Sequence, residues 1–525
     1  MLIVRNIKMP LDTDFSDFRS ELSRVLRVDG IKSVRLCKKA VDARKKDNIH
    51  FNCAVILETE NDQKLLKRFK TKDAEVFNEQ PYVFKTVSGQ HKRPIVVGFG
   101  PCGMFAALGL AKAGLCPIIL ERGRDVDSRI SDVNRFFETN VIDEDSNIQF
   151  GEGGAGTFSD GKLNTGIKDM RIRAVLEIFS SHGAGENILY DAKPHIGTDV
   201  LVSVVKSIRE EIIRLGGEVL FSHKLIGINA DGVRVKSVTA ETPNGVKELD
   251  CDRVILSIGH SARDTFLMLK QMGLIIQPKP FAVGARIEHR QELINSAQYG
   301  AFAGHPNLGA ADYKLAERVS NGRGVFTFCM CPGGEVVNAS SEKGRVAVNG
   351  MSNNARDGKN ANSAVLCDVR IEDYFKGDVL DGMYFQREIE EKAFKAGRGL
   401  PVSQSVGDFL RLGKADGSVV PTAKSGVTFG EIGEVLPKFV TESLREGIVL
   451  FDRKIKGFAS PNAILTAPET RSSSPVRILR DQRGQASVEG LYPAGEGAGY
   501  AGGITSAAVD GLKTAEIIIN EINQV

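Results

Sequence analysis

The chain has 525 residues, of which 42% are hydrophobic and 26% charged, and its net charge is +3. That length exceeds a single ordinary core and predicts two or three domains, while the balance excludes a disordered or collagen-like chain. Glycine, at 55 residues, is in mild excess over the usual ~7%, which suits a backbone that must approach a ligand closely.

Residues 1–93 hold 20 Lys and Arg against 13 Asp and Glu, and the remainder holds 49 against 53. A basic N-terminal module on a slightly acidic body admits an anionic partner, although a solvated charged surface is the simpler reading. The eight cysteines, at 37, 53, 102, 116, 251, 329, 331 and 367, contain no CxxC, and no histidine cluster stands at zinc-ligand spacing. They read as reduced thiols, with no metal site. Arg5 and Lys8 interrupt the apolar run that a secretory signal needs. The most apolar stretch, Gly103–Leu120, is broken by Lys112, Gly114 and Pro117. A cytoplasmic protein without membrane contact is expected.

In chain order, residues 1–90 predict a ferredoxin-like α+β module of βαββαβ order. Its elements are strand Leu2–Ile7, amphipathic helix Phe15–Val28, strands Ile31–Val41 and Phe51–Leu57, short helix Asp62–Phe69 and last strand Tyr82–Val87. Polar residues Ser88–Arg93 make a linker. Pro94-Ile-Val-Val-Gly-Phe-Gly-Pro-Cys-Gly103 then reads as a strand, a glycine turn and a helix start. Strand Ile118–Glu121 follows, then helix Thr198–Leu215 with Thr198 as N-cap. Strand candidates come next at Gly217–Phe221, Gly232–Glu241 and Val246–Leu249, closing on Asp252–Gly259. From about 265 to 480 the pattern is irregular, with strand-like Phe281–Ile287 and Val325–Cys329 and helical Gln386–Ala396 and Ile432–Glu446; the chain ends in helix Ile504–Ile522.

Gly98-x-Gly100-x-x-Gly103, with Pro101 and Cys102 between, supplies a tight turn, close backbone approach to a pyrophosphate, and helix–strand contact. The helix start adds amide donors for phosphate. Glu121, 18 residues after Gly103, ends the second strand where a carboxylate can bind ribose hydroxyls. These features predict dinucleotide binding without deciding between NAD and FAD.

Four further segments resemble the glutathione-reductase and fumarate-reductase-like flavoproteins, whose FAD domain is assembled from separated pieces of chain. Glu121-Arg122-Gly123 resembles their acidic turn. Gly153-Gly-Ala-Gly-Thr-Phe-Ser-Asp-Gly-Lys162 looks like the loop they lay along the ribityl chain and ring, which implies roles for Gly154, Thr157, Ser159 and Lys162. Residues 198–259 resemble their helix, adenine-side strand, three-stranded excursion and returning strand, which would set Val219 beside the adenine and Gly259 at the cleft. Leu491-Tyr-Pro-Ala-Gly-Glu496 leads through glycines into the last helix. A helix start at Gly503, Ile504 and Thr505 aimed at the flavin N1–C2 carbonyl would stabilise the reduced ring. Gly495-Glu496 stands where the glutathione-reductase family usually has Gly-Asp, and leans toward the fumarate-reductase-like branch.

The whole chain also resembles a family of uncharacterised bacterial FAD-dependent dehydrogenases. The similarity includes Asp42-Ala-Arg44, Phe281–His289, Phe328-Cys-Met-Cys-Pro-Gly-Gly334, Asn360-Ala-Asn-Ser363 and Glu469-Thr-Arg-Ser-Ser-Ser-Pro-Val-Arg477. The implied architecture is α/β. A Rossmann-like FAD-binding domain of glutathione-reductase type (residues 94–264 and 481–525) carries an inserted mixed α+β substrate domain (265–480). The implied cofactor is non-covalent FAD, and NAD(P)H is at most a transient visitor, since no second GxGxxG follows a strand. The implied activity is a dehydrogenase or reductase on a small, anionic organic molecule; RNA or a protein partner docking on the basic module is the alternative.

Candidate working groups are Arg471 and Arg477, which could grip a carboxylate or phosphate. Arg286 shares a strand face with Glu288 and could act in catalysis or in a structural ion pair. His195 is a proton-transfer group or a packed histidine. Cys329-x-Cys331 invites a dithiol reading, but a CxC disulfide is strained, so Cys331-Pro-Gly-Gly334 reads as a turn against flavin or substrate.

Overall fold

The computed structural model describes residues 1–69 and 72–524. Strands Leu2–Met9, Ile31–Asp42, His50–Thr59 and Ala74–Val76 and helices Phe18–Leu26 and Asp62–Leu66 follow in βαββαβ order. Leu2–Met9 lies antiparallel between His50–Thr59 and Ala74–Val76, and Ile31–Asp42 pairs antiparallel on the far side of His50–Thr59. The last strand is therefore not Tyr82–Val87. That segment runs along the C-terminal helix instead, with the Tyr82 hydroxyl on Glu516 and Lys85 Nζ 2.8 Å from Asn520. Its alternating apolar residues, Phe84 and Val87, pack on the helices rather than on a sheet. The module is also not separately cored: Leu2, Leu22, Phe51 and Leu57 belong to one continuous apolar cluster with Tyr313, Ile287, Phe458 and Leu465.

The second sheet has five parallel strands in the order Leu491–Pro493, Val254–Leu256, Ile95–Val97, Ile118–Leu120, Glu218–Leu220. Both of its faces are covered, so its strands read as unbroken apolar runs. Val96, Ile119, Ile255 and Tyr492 face helices Pro101–Lys112, Thr198–Arg214 and Ile504–Asn523. The alternate residues Ile95, Val97, Leu120, Val254 and Leu256 face the antiparallel ribbon Lys224–Ala230, Val235–Thr242 and Gly245–Asp250. Thr198 does not cap its helix. The N-cap is Gly197, and the Thr198 hydroxyl donates to the Thr157 carbonyl at 2.7 Å.

Residues 276–480 contain a third, seven-stranded sheet. Its order is Ala316–Arg318, Gly324–Cys331, Asn360–Val369, Phe281–Arg290, Ile464–Glu469, Val402–Ser405, Thr428–Phe429. The pattern looked irregular because its central strands bury polar groups on both faces, among them Arg286, Glu288, His289, Asn362 and Ser363. The predicted helix Gln386–Ala396 runs from Asp381 to Gly397, and Ile432–Glu446 is two helices, Ile432–Val435 and Lys438–Asp452, parted by Pro437. Proline cannot continue the preceding turn. Among the described residues no helix is long and apolar enough to cross a membrane.

Helix Pro101–Lys112 is buried nearly all round, and the C-terminal helix lies against it through glycines. A Cβ on Gly511 would stand 2.1 Å from the Cys102 carbonyl oxygen, and one on Gly109 would stand 3.1 Å from Ala515 Cβ. Gly511→Ala is therefore expected to cost about 1–3 kcal/mol by overpacking, read as a lower urea midpoint. An unchanged midpoint would show that the two helices do not depend on this contact.

Candidate flavin site

The two buried helices begin at the same place. Helix Pro101–Lys112 starts after Gly100 and helix Ile504–Asn523 after Gly503, and neither N-cap has a side chain to bond the first amides. Unbonded amides and the helix dipoles thus converge on one cleft, which favours an anion or an electron-rich ring. The cleft, of about 310 Å³, is lined by Gly98, Gly100, Pro101, Cys102, Glu121, Gly154, Ser159, Lys162, Gly259, Glu496, Gly503 and Ile504 of the predicted residues. Of the candidate working groups, Arg471 lines it.

Its walls require bare backbone. Gly98 has φ +92°, and a Cβ there would lie 2.5 Å from the Ser257 carbonyl oxygen. Across the cleft mouth a Cβ on Gly154 would come within 2.9 Å of Gly100 Cα, whereas Gly259, Gly502 and Gly503 face open space. The cradle therefore fits a dinucleotide: close approach at one end, room at the other.

Glu121 is 4% exposed. Its carboxylate accepts from the backbone N–H groups of Phe99 (2.8 Å), Gly151 (2.9 Å) and Gly123 (3.0 Å). Three bonds leave a carboxylate about one further acceptor position, which faces the cleft. Arg129, fully buried, holds the next loop by donating to the carbonyls of Asn147, Ile148 and Glu152 at 2.6–2.9 Å. Lys162 lies 2.9 Å from Asp160 and donates to the Met330 carbonyl, while Asp160 is itself gripped by Arg356 at 2.5 and 2.9 Å. Glu496 is half-buried in the cleft lining with Lys279 as its nearby cation, and desolvation pushes its carboxyl up to about 7.

Other predicted cofactor residues support the cleft from behind. Gly103 packs where a Cβ would meet Gly98 O at 1.9 Å, and Gly495 donates its N–H to Asp510 at 2.8 Å. The Thr157 hydroxyl donates to the Glu152 carbonyl and that of Thr505 to Leu163. Arg122 forks onto Asp264 at 2.9 and 3.1 Å over the Phe150 ring, and Val219 sits half-buried on the edge strand.

The candidate working groups fare differently. Arg471 does not offer its fork to a ligand: Nε and Nη2 go to Glu390 at 3.0 and 2.9 Å, and Nη1 goes to Ser261 and Ser341. Arg263, from a distant helix, binds the other side of Glu390 at 2.7 and 2.8 Å. Against the cost of burial, the two guanidiniums hold the Glu390 carboxyl well below its usual range. Arg477 lies over Tyr500 and donates to the Gly499 carbonyl. Arg286 is fully buried and pairs with Glu469 at 3.2 Å, not with Glu288, which instead bonds Thr422 and Asn360. His195 Nε2 contacts the Asn354 carbonyl at 3.0 Å, and burial lowers its pKa. Sequence reasoning missed His260, which lines the cleft and is kept neutral by burial and by Arg471, its pKa pushed down to about 3. It also missed Arg263 and Glu390, whose burial leaves no trace in a charged helix pattern.

Residues 280–472 match the family of FAD-dependent proteins, C-terminal domain-like, and residues 1–58 match a domain of unknown function. An uncharacterised protein from Clostridium beijerinckii is 47% identical over 534 aligned positions, spanning 99% of each chain. The chain belongs to that family. Together with the C-terminal match, this makes it an FAD-dependent protein. A dihydrolipoyl dehydrogenase from Pseudomonas aeruginosa is 27% identical over 145 residues, 27% of this chain and 30% of its own. A flavin-dependent brominase and a flavoprotein/dehydrogenase from Cytophaga hutchinsonii superpose with TM-scores of 0.39 and 0.34 at 11% and 12% identity. Those alignments cover 83% and 82% of this chain and 81% and 79% of the others; scores so low carry no assignment.

Two outcomes follow for this flavoprotein site. Glu390→Gln should leave two buried guanidiniums short of a counter-charge and cost about 3–5 kcal/mol, seen in chemical unfolding; a loss below 1 kcal/mol would mean water reaches the network. Glu496 ionises near 4.5 when unfolded and near 7 when folded, so the native state keeps its proton longer and stability falls as pH rises through that window. In flavin-free protein, Glu496→Gln should therefore gain thermal stability relative to wild type at pH 8 but not at pH 4.5. Parallel curves would show that the carboxyl is solvated.

Proposed function

We propose that the protein is an FAD-dependent dehydrogenase or reductase that passes a hydride between flavin N5 and a small, anionic organic substrate. The carrying observation is the convergence of two uncapped helix starts on a glycine-walled cleft. The same geometry supports a glutathione-reductase-type FAD domain formed by residues 94–264 and 481–525, with 265–480 inserted as the substrate domain after an N-terminal module of residues 1–90.

Bound non-covalently, FAD supplies the two-electron chemistry, and the protein supplies position and field. Amides at the start of helix Pro101–Lys112 would take the pyrophosphate, and Glu121 the ribose. The start of helix Ile504–Asn523 would face the pyrimidine edge of the ring and favour its reduced, anionic form. Lys162, which lines the cleft, would lie toward the ring. Arg471, which also lines the cleft, and Arg263 hold Glu390, Arg387 holds Glu342, and Arg345 pairs with Glu391. Arg471 acts there by positioning and field.

A reading directed to RNA or a protein partner draws less support. Many basic residues of the module are engaged within the chain: Arg5 with Glu75, Arg35 with Glu79, Arg44 with Asp42, and Lys39 over the rings of Phe15 and Phe51.

Purified protein should show a flavin spectrum and bleach anaerobically with a suitable small acid or reductant. Gly154→Val, which fills the approach to Gly100, should weaken FAD binding by at least about tenfold, ~1.4 kcal/mol. A colourless protein that takes up no added FAD would refute the proposal.

A further inference from the structure

The cysteines of Cys329-x-Cys331 enter a different light once placed. Cys329 lines the flavin cleft beside Lys162, Phe328 and Glu469, and is partly open to it; Cys331 is buried directly behind. On a regular strand residues i and i+2 stand about 6.7 Å apart, at the outer limit of what a disulfide spans. This strand is not regular. Its pairing with Asn360–Val369 slips between Phe328 and Cys331, and Cys329 has a left-handed φ of +43°. Bulges of this kind re-aim side chains, and strained non-glycine backbone concentrates at working sites. Here the kink folds Cys331 back on Cys329, so that Cys331 Sγ donates to the Cys329 carbonyl at 3.2 Å.

The surroundings differentiate the two. From the loop comes Lys162 with its partner Asp160. From strand Phe281–Arg290 comes Arg286, whose Nη2 lies 3.6 Å from Cys331 Sγ, and from strand Ile464–Glu469 comes Glu469. The neighbouring Cys331 thiol, with Lys162 and Arg286, lowers the Cys329 thiol, while the neighbouring Cys329 and burial raise that of Cys331. The sulfur that lines the cleft is thus the one favoured as thiolate, and the buried one is favoured as thiol, the arrangement a dithiol needs for exchange.

We infer that Cys329 and Cys331 form a redox-active pair that exchanges two electrons with the flavin. In the oxidising direction the Cys329 thiolate and Cys331 thiol join in one S–S bond and give up two electrons and the Cys331 proton. Oxidised flavin takes both electrons and that proton, becoming the anionic hydroquinone; the reverse step reopens the disulfide. Charge and atoms balance without a further reactant. The inference rests on FAD occupying the cleft as proposed above.

Anaerobic dithionite titration of the air-oxidised holoprotein should consume about four electrons per flavin, falling to about two in Cys329→Ser and Cys331→Ser, since a disulfide is a two-electron couple. Independently of flavin, the tryptic peptide Gly324–Lys343 of denatured wild type should accept two iodoacetamide groups only after reduction. About two electrons per flavin in wild type, or a peptide fully alkylated without reduction, overturns the pair while leaving the flavin reading intact. Failure to hold FAD at all would instead sink the proposed function.

Discussion

The structure depends on one close approach, that of the C-terminal helix to the helix that opens at Pro101. Gly109, Gly511 and the backbone around Cys102 let these two apolar cylinders touch almost main chain to main chain. Because both helices start at the same end of the parallel sheet, their first amides and their positive dipole ends emerge together. Separated by the width of an ordinary side-chain layer, they would form two weak anion sites. Pressed together, they line one cleft long enough for a dinucleotide, with Gly98 and Gly154 in a floor where a Cβ would collide with backbone.

The opposite wall is built on a different principle. Arg263, Glu390 and Arg471 come from three distant stretches of chain and meet in the interior, with Glu390 fully buried. Burial of such charges is expensive, and the network persists because each guanidinium is matched by carboxylate oxygens and hydroxyls. What it returns is fixed position and field: it anchors the turn that carries Arg471 and Ser472 to the cleft and keeps His260 neutral. Arg471 is thus a residue that shapes a binding wall rather than one that holds the ligand.

The N-terminal module is bound into the body by apolar contacts that run unbroken into the seven-stranded sheet, and by the backbone bonds of Lys39 to Tyr190 and Ala192. A surface spent on its own chain has that much less to offer elsewhere. Within the module Glu75, Glu79 and Asp42 pair with Arg5, Arg35 and Arg44, while the net excess of cations found by the charge count remains.

By itself the sequence determined the local pieces: the first five elements of the module, the Gly98–Gly103 turn between strand and helix, Glu121 at the next strand end, and the last helix. Each follows from short-range rules of glycine conformation, apolar periodicity and helix starts, which act within a few residues. Only the tertiary structure decided that Tyr82–Val87 lines a helix rather than a sheet, that Arg286 pairs with Glu469 rather than Glu288, and that Arg471 serves Glu390. It also decided that a bulge turns Cys329 toward the cleft with Cys331 behind it. In each case the partner lies many residues away, and burial, which sets the strength of a charge and the reactivity of a thiol, is a property of the packed whole.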